Sequence, residues 1–480
     1  MNEYKIFVQR IGLVGIANLL VAFSSLILLP ILTKNLSIDD YGIWVQINTT
    51  ISLLPNLTTL GLPYTMVRFL SSETNRQQRQ EGFYSILIMV FVSTLIVSLL
   101  LLIFSKEIAF AIFNGDVNVA ILLSGIVFLA CLNALLLNYF RTFQEMKKYS
   151  LFLLMQTYLG VAIVSYFALS GYGVYMTAVG LLVANLITFL VMLALIIRSL
   201  GFILPKFSNM REYLSFGLPT IPGNLSSWIV NSSDRYVIGI FLSAAFVGYY
   251  SPGYTLGNCI TMLLAPFSLL LPSVLPQYYD KNNMEKVSLF LNYSLKYFLL
   301  ISIPAAFGLS VLSKPLLIVL STPDIALNGY LITPLTALST LIFGVYAIIG
   351  NVLVLEKKTK VIGTIWIIAA VLNLVLNVIF VPYFGIMAAA VTTLMAYALA
   401  FILTLRYSTK FFKFDSIFIL KSVTASTIMS VVIILLNPND LMSIVISVII
   451  SIVVYFALIL VFKGIKTEEF QLFKEMFRKT

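Results

Sequence analysis

Histidine is absent from the 480 residues of this chain, and charged side chains make up only 10% of it. Without histidine, the sequence lacks the commonest general base and metal ligand. It also contains no G-x-x-x-x-G-K-[ST] nucleotide-binding motif and no acidic cluster for a metal ion. These absences argue against an ATPase, a metalloprotein and most soluble enzymes, so we expect no metal site and no bound cofactor.

Cysteine is scarce as well. Cys131 and Cys259 are the two cysteines, and each lies within an apolar tract far from the other. We interpret them as small buried hydrophobic side chains rather than as a disulfide or a metal site. Cysteine usage therefore says nothing about the redox compartment.

Apolar residues dominate what is present. They make up 60% of the chain, and the mean hydropathy is +1.01, whereas soluble domains are on average about a quarter charged. The first apolar run, 11–33, is too long for a signal-peptide core and lacks an Ala-x-Ala cleavage pattern, so it is interpreted as an uncleaved first span. The composition predicts an integral membrane protein.

The apolar tracts predict an all-α, polytopic membrane protein with about fourteen transmembrane helices. Each tract is long enough to cross a hydrocarbon core of roughly 30 Å. The predicted spans are 11–33, 43–66, 83–105, 119–140, 150–170, 174–197, 213–242, 247–278, 288–312, 327–355, 361–381, 385–405, 422–436 and 441–462.

The basic residues predict the orientation. With the N-terminus inside, 25 of the 30 lysines and arginines fall in inside segments and three in outside loops. This asymmetry places both termini in the cytoplasm and explains the net charge of +11 without a nucleic-acid partner. The C-terminal segment 463–480, with Phe470, Phe473 and Phe477 at helical spacing, is predicted to be an amphipathic helix on the inner leaflet.

An internal repeat divides the chain. Leu36-Ser37, four residues and Gly42 recur 206 residues later, ending at Gly248, and the run from Tyr172 matches the run from Phe384 at an offset of 212. We therefore predict two parallel six-helix lobes, 1–200 and 211–407, two extra transmembrane helices in 421–462, and the cytoplasmic tail 463–480. Parallel repeats of this kind are typical of secondary transporters, whose substrate path lies between the halves.

The seventh predicted span carries a polar stripe. At 100° per residue, its polar side chains fill an arc of about 100° on one helix face. As chain neighbours, Asp234 and Arg235 point 100° apart, so each is expected to pair with another span more easily than with the other. We predict that the stripe lines the substrate path; structural pairing and snorkelling of Arg235 are the alternatives. Its residues are Asn224, Ser227, Asn231, Asp234 and Arg235.

Two prolines precede the stripe. Pro219, Pro222 and Gly223 lie in "GLPTIPGN" and are expected to kink or loosen the helix, which makes them candidate hinge residues. Further candidates for the path are basic. Lys296 either faces the cavity or extends to the cytoplasmic membrane surface. Arg10 and Arg68 either line the entrance of the cavity or are positive-inside anchors.

The arrangement resembles a known family. The runs "LPILTKNLSIDDYGIW" and "LPTIPGNLSSWIVNSSDRYVIGIFLSAAFVGYYS" are similar to those of bacterial Wzx-type polysaccharide flippases. These belong to the multidrug/oligosaccharidyl-lipid/polysaccharide superfamily, and the resemblance covers the whole chain. Its most specific part is Ser-Asp-Arg-Tyr-x-Ile-Gly from Ser233, with the following Gly-x-Tyr-Ser from Gly248. The resemblance implies a MATE-like fold and no enzyme activity.

The resemblance also implies a function. It predicts a flippase that moves undecaprenyl-diphosphate-linked oligosaccharide across the bacterial inner membrane by alternating access, with sodium or protons as the possible coupling ion at Asp234. Partners would be the lipid-linked glycan, membrane lipid, and the polymerase and chain-length proteins of the same pathway. The alternatives are a MATE-type multidrug or cation antiporter, a lipid II flippase, and, from another class, a membrane polysaccharide polymerase.

Overall fold

A computed structural model describes residues 2–464 of the chain, with side chains from Gly12 onward. Within these residues there are twenty α-helices, two short 3-10 turns and no strand. The first ten helices are α1 Asn2–Asn35, α2 Ile38–Thr58, α3 Leu62–Leu70, α4 Arg76–Ile103, α5 Ser105–Ile112, α6 Val117–Thr142, α7 Met146–Leu169, α8 Gly173–Leu200, α9 Met210–Gly217 and α10 Ile221–Phe241.

The remaining helices follow the same style, long helices separated by short turns. They are α11 Ala244–Asn258, α12 Ala265–Tyr279, α13 Met284–Leu320, α14 Pro323–Gly329, α15 Ile332–Ile349, α16 Asn351–Leu355, α17 Thr359–Phe384, α18 Ile386–Ser408, α19 Ser416–Leu436 and α20 Leu441–Val461. The 3-10 turns are Leu218–Thr220 and Cys259–Leu264.

The prediction of an all-α, polytopic membrane protein is confirmed. In the described part of the chain, twelve helical segments are long and apolar enough to cross a membrane. The predicted spans 43–66 and 213–242 are not among them. They correspond to α2–α3 and α9–α10, of which α3 and α9 are too short and α2 and α10 too polar. The count of fourteen therefore stays a prediction.

We expected the seventh predicted span to be one continuous helix, but the structure interrupts it. Helix α9 ends at Gly217, the backbone tightens into the 3-10 turn Leu218–Thr220, and α10 begins at Ile221. Pro219 and Pro222 explain the break, because proline lacks the N–H that an α-helical hydrogen bond requires. The expected irregularity at the two prolines is therefore present, while their role as a hinge stays a prediction.

The order of elements repeats along the chain. The broken pair α2–α3 has its counterpart in α11–α12, and the short helix α5 has its counterpart in α14, each time between the third and fourth long helices of its half. The sequence repeat thus corresponds to a repeat of local structure, although the lobe boundaries 1–200 and 211–407 stay predictions.

By its contacts the chain forms two compact units, which differ from the predicted lobes in their limits. The first contains the residues up to Ser251 together with Trp366–Thr392, and its core joins α3, α4, α6 and α8 through buried aromatic side chains such as Phe83 and Phe140. The second contains Pro252–Ile365 and the residues from Thr393 onward.

The second unit includes the two extra helices. Tyr455 on α20 bonds to Ser422 on α19 at 2.7 Å and donates to the carbonyl of Leu300 on α13 at 2.8 Å, so one buried hydroxyl joins three helices. An apolar cavity of about 480 Å³ lies between the same helices. Cys259 is half-buried here and Cys131 is buried in the first unit; both are free thiols. Residues 465–480, which hold almost all of the predicted amphipathic tail, lie outside the described residues.

The two repeat-related glycines make a reciprocal contact. A Cβ added to Gly42 on α2 would lie 1.8 Å from the carbonyl oxygen of Ala244, and one added to Gly248 on α11 would lie 2.6 Å from that of Ile38. Ala244 follows Ile38 by the same 206 residues that separate the glycines. The repeat signature therefore marks a pseudo-twofold contact between the starts of α2 and α11, which only glycine permits.

This contact gives a stability prediction. Gly42→Ala and Gly248→Ala should each destabilise the protein by about 1–3 kcal/mol, the usual cost of an overpacked contact. The double variant should cost less than the sum, because the first substitution already separates the helices. Thermal unfolding of the purified protein in detergent measures this, with Gly160→Ala as control, since no atom lies within 4 Å of its added Cβ. Strictly additive losses would contradict the reciprocal contact.

Candidate functional site

The polar helix α10 packs against the other polar helix, α2. Four side-chain hydrogen bonds join α10 to α2 and α3, spread from the start of α10 to Tyr236. They are Tyr64 Oη to Asn224 Oδ1 (3.2 Å), Trp228 Nε1 to Ser52 Oγ (2.8 Å), Gln46 Nε2 to the carbonyl of Arg235 (2.7 Å), and the Thr50–Tyr236 hydroxyl pair (2.6 Å).

This packing explains how α2 and α10 can be more polar than the lipid-facing helices. A polar group without a partner is costly in hydrocarbon, and these two helices satisfy each other's polar groups. The helix is also interrupted in both segments where the α2–α3 link lies against the end of α9. The link between α2 and α3 passes through Gly61 in a left-handed conformation (φ +69°), and its Cα lies against the carbonyl of Gly217 at the end of α9.

Asp234 and Arg235 pair with each other. The guanidinium Nη1 of Arg235 lies 3.0 Å from Asp234 Oδ1, and the backbone N–H of Arg235 donates to the same oxygen at 2.8 Å. The expectation that each would pair more easily with another span is therefore wrong for the ion pair, while Asp234 also bonds to a neighbouring helix through Tyr250. The arginine side chain is long enough to fold back: its Nη1 also donates to the carbonyl of Asn231, one turn earlier.

The second carboxylate oxygen of Asp234 joins the two ends of the family-like motif. Tyr250 on α11 donates its hydroxyl to Asp234 Oδ2 at 2.5 Å, and the Arg235 guanidinium lies 5.9 Å from the centre of the Tyr250 ring. Ser-Asp-Arg-Tyr and Gly-x-Tyr-Ser, separated in sequence, thus form one hydrogen-bonded cluster. Since each charge is compensated, the cluster can be buried in a membrane protein.

Burial divides the predicted stripe into two parts. Asp234 is only 1% exposed and faces α11, whereas the other four residues are half-buried, with 13% of the Arg235 side chain exposed. The half-buried residues form the polar edge of α10, a name we use for Asn224, Ser227, Asn231 and Arg235. Arg235 links this edge to the buried carboxylate.

Helix α17 adds buried amides to the same unit. Thr392 donates to Asn377 Oδ1 at 2.5 Å, Asn377 donates to Asn373 Oδ1 at 3.2 Å, and Ser233 Oγ lies 3.5 Å from that same oxygen. The chain of polar groups reaches α10 one residue before Asp234. Asn373 and Asn377 carry no motif in the sequence that would single them out.

Sequence reasoning missed Gln46 and Tyr250. Gln46 is fully buried, and its Oε1 has no hydrogen-bond partner among the described residues. The signal for it was the low hydropathy of α2, which contains Gln46, Thr50 and Ser52 on its α10-facing side. Tyr250 was already part of the quoted motif, but a tyrosine in an apolar tract gives no sign of its partner.

Lys296 belongs to the second unit, whereas the cluster around Asp234 belongs to the first. The Lys296 ammonium group lies 5.3 Å from the centre of the Phe418 ring, and it lines a cavity of about 230 Å³ with Lys413 and Asp415, between α13 and the start of α19. All of these residues belong to the second unit. A role of Lys296 in the substrate path stays a prediction.

The other basic candidates lie on α3 and α1. Arg68 is exposed in the last turn of α3, and the side chain of Arg10 lies outside the described residues. Their roles, too, stay predictions. In the described part of the chain, no group of three or more Cys, Asp or Glu side chains is placed to hold a metal ion.

Comparison with known proteins places this cluster in a family context. The sequence model of the family described as "Polysaccharide biosynthesis protein" matches residues 7–278, and that of the MatE family matches residues 219–379. The first match covers more than half of the chain and includes α2, α10 and α11.

Two curated relatives come from Haloferax volcanii. The chain is 28% identical over 275 residues to the probable low-salt glycan biosynthesis flippase Agl15, and 28% identical over 185 residues to the probable flippase AglR. The matches cover 56% and 38% of this chain and span 58% and 37% of the relatives' own lengths.

Solved structures show the same fold at low identity. The lipid II flippase MurJ, in an inward closed conformation, matches with a TM-score of 0.77 and 20% identity over 93% of this chain and 98% of its own. An inward-facing MATE-family multidrug resistance transporter matches with a TM-score of 0.63 and 16% identity over 82% of this chain and 97% of its own. The chain that carries the polar cluster therefore has a MurJ/MATE-like fold.

Proposed function

The chain belongs to the polysaccharide biosynthesis protein family, within the multidrug/oligosaccharidyl-lipid/polysaccharide superfamily, and from that premise we propose that it is a lipid-linked oligosaccharide flippase. Its substrate would be an undecaprenyl-diphosphate-linked repeat unit of O-antigen, capsule or teichoic acid. The substrate would move from the inner to the outer leaflet of a bacterial cell membrane by alternating access. The names of the two archaeal relatives support the flippase class.

The observation that carries the proposal is the polar edge of α10. A half-buried row of amides, a hydroxyl and a guanidinium suits neither lipid nor a sealed core, but it suits a path for sugar hydroxyls. The glycan would move along this edge by exchanging hydrogen bonds, while the prenyl chain stays in lipid. Pro219, Pro222 and Gly223 at the start of α10 would permit the change in helix angle.

Arg235 is proposed to receive the diphosphate. Its planar fork of donors matches the geometry of phosphate oxygens, and its side chain is the more exposed member of the ion pair, 13% against 1% for Asp234. To bind the diphosphate, the guanidinium would turn away from Asp234 toward the polar edge.

This exchange of partners gives a reason for ion coupling. When Arg235 turns to the diphosphate, the buried Asp234 loses its compensating charge, which is unfavourable in the membrane interior. A proton or a sodium ion would then neutralise the carboxylate, with the Tyr250 hydroxyl already in place as a ligand. We therefore propose that substrate and one cation bind together, and that Asp234 is the coupling residue.

The second candidate is a cation or multidrug antiporter, which the MatE match over residues 219–379 favours. A site for organic cations needs a carboxylate that is open to the ligand. Asp234, however, is 1% exposed and has an internal cation beside it. An anionic substrate that competes for Arg235 fits this arrangement better.

Glycan analysis in cells tests the proposed function. If the protein is a flippase, deletion of its gene should cause the completed lipid-linked repeat unit to accumulate at the inner leaflet. Glycan-binding probes added from outside do not reach it there. A polymerase predicts accumulation at the outer leaflet, and a lipid II flippase predicts accumulation of peptidoglycan precursor instead. Unchanged glycans with a raised sensitivity to cationic drugs would favour the antiporter. Physical partnership with polymerase and chain-length proteins would appear as co-purification.

A further inference from the structure

The first unit contains a polar cavity just after the end of α3. Gly42 lies at the opposite end of the α2–α3 pair, near the start of α2. The cavity measures about 650 Å³ and lies between the start of α4 and the ends of α6 and α8. Two guanidinium groups and four uncharged polar side chains contribute to its lining. They are Arg76, Arg79, Ser71, Thr74, Gln144 and Ser199.

Each arginine is held by hydrogen bonds from the Nε side of its guanidinium group. Arg76 donates from Nε and Nη2 to the carbonyl of Leu200 at 3.4 and 3.3 Å, and Arg79 donates from Nε to the carbonyl of Glu73. The Arg79 guanidinium also lies over the ring of Phe143, 5.2 Å from its centre. Each guanidinium is therefore oriented by the protein, while its remaining donors have no acceptor among the described residues.

The two arginines form no direct ion pair, although the Glu73 carboxylate lies just before the same helix and accepts from the backbone N–H of Asn75 at 2.8 Å. Among the residues that the structure describes, neither arginine lies within ion-pair distance of a carboxylate. Glu145 also lines the cavity, but its carboxylate lies 2.9 Å from the ammonium of Lys148. The arginines occupy the first and fourth positions of α4, whose first turn has no acidic residue. Cations at the positive end of a helix are unfavourable unless an anion binds there.

The repeat shows that the fold itself does not require these arginines. Asn75 caps α4 with its side chain, and Asn283 caps α13 in the same way 208 residues later. The residues that correspond to Arg76 and Arg79 are Met284 and Val287, and Val287 is fully buried in an apolar core. The second half thus buries an apolar side chain where the first has Arg79 and exposes one where the first has Arg76, so neither position needs a cation for the fold.

We propose that the Arg76–Arg79 cavity is a binding site for a phosphate group at the membrane surface. Two oriented guanidinium forks and nearby hydroxyls are the donors that phosphate oxygens prefer. The phosphate is carried by the headgroup of an anionic lipid or by a soluble phosphate compound. The helix N–H groups are not its main donors, because Asn75 already accepts from Gln77 and Gln78. The site is independent of the proposed transport, since it is defined by binding alone.

Two probes distinguish the sources. The purified full chain in an uncharged detergent is titrated with sodium pyrophosphate by calorimetry, and with phosphatidylglycerol by native mass spectrometry, using phosphatidylcholine as the lipid control. We expect at least one probe to bind, and Arg76→Gln/Arg79→Gln to weaken that binding at least tenfold. The matched control Lys206→Gln/Arg211→Gln removes two exposed charges that do not line the cavity and should change the affinity less than twofold.

A second variant guards against loss of folding. Thr74→Glu places a carboxylate in the cavity and leaves both arginines on their carbonyl partners. It should abolish binding without lowering the unfolding temperature, because an acidic residue before a helix is favourable. Loss with phosphatidylglycerol alone assigns the site to a lipid headgroup, and loss with pyrophosphate alone assigns it to a soluble ligand. If wild type binds neither probe, or if both cavity variants bind like wild type, the proposal is wrong.

Discussion

Replacing Gly61 with alanine is expected to destabilise the protein by about 2–5 kcal/mol. Gly61 has a φ of +69°, a conformation that costs a residue with a Cβ roughly 1–2 kcal/mol. The added Cβ would also lie 2.1 Å from the carbonyl oxygen of Gly217 and 2.5 Å from Thr220 Oγ1. Separating this contact adds about 1–3 kcal/mol. Chemical or thermal unfolding of the purified protein in detergent measures the loss.

Two other glycines separate the contributions. Gly171 has a φ of +75° but no atom within 4 Å of an added Cβ, so Gly171→Ala should show the backbone cost alone. Gly160 has neither an unusual φ nor a close neighbour, so Gly160→Ala should leave stability unchanged or raise it slightly. If Gly61→Ala loses no more than Gly171→Ala, the close approach of the two broken helices is absent.

Removing the Arg235 charge should be at least as damaging. Arg235→Gln leaves the buried Asp234 without its cation, which typically costs about 3–5 kcal/mol. Asp234→Asn alone should cost less, because the partly exposed arginine can reach water. The double variant Asp234→Asn/Arg235→Gln should recover most of the loss, and this coupling is measured by a double-mutant cycle of unfolding free energies.

The same cycle separates a structural role from a role in transport. If the pair only holds helices together, the double variant recovers both stability and transport. If it belongs to the substrate path, the double variant recovers stability and remains inactive. Asp280→Asn, an exposed carboxylate outside the cluster, is the control and should stay within about 0.5 kcal/mol of wild type. Additive losses in the cycle would contradict the direct ion pair.

Hydropathy predicted the helices where composition is the deciding factor. Tracts such as 119–140 and 441–462 correspond to α6 and α20 within a few residues, because a long apolar run in a membrane has no alternative to a helix. Helices α2 and α10 are different, since their polar groups are stable there only through each other. The hydrogen bonds between the two helices are a tertiary property, which a hydropathy sum over one sequence segment does not contain.

The site was predictable in part for the same reason. Helical angles placed Asn224, Ser227, Asn231 and Arg235 on one edge, and the half-burial of all four agrees with that. The angles failed for Asp234, because a Cα direction does not determine where a flexible arginine goes or which helix covers the carboxylate. Tyr250, sixteen residues away on the next helix, decides its surroundings.

Flipping in proteoliposomes tests the central claim most directly. Purified wild-type chain is reconstituted with a fluorescent undecaprenyl-diphosphate-linked oligosaccharide, and its transfer between leaflets is followed with an external quencher. The account predicts faster transfer than in empty liposomes, a dependence on a proton or sodium gradient, and transfer at the background rate for Asp234→Asn/Arg235→Gln at wild-type stability. Transfer by the double variant at the wild-type rate, or no acceleration by wild type, would contradict it.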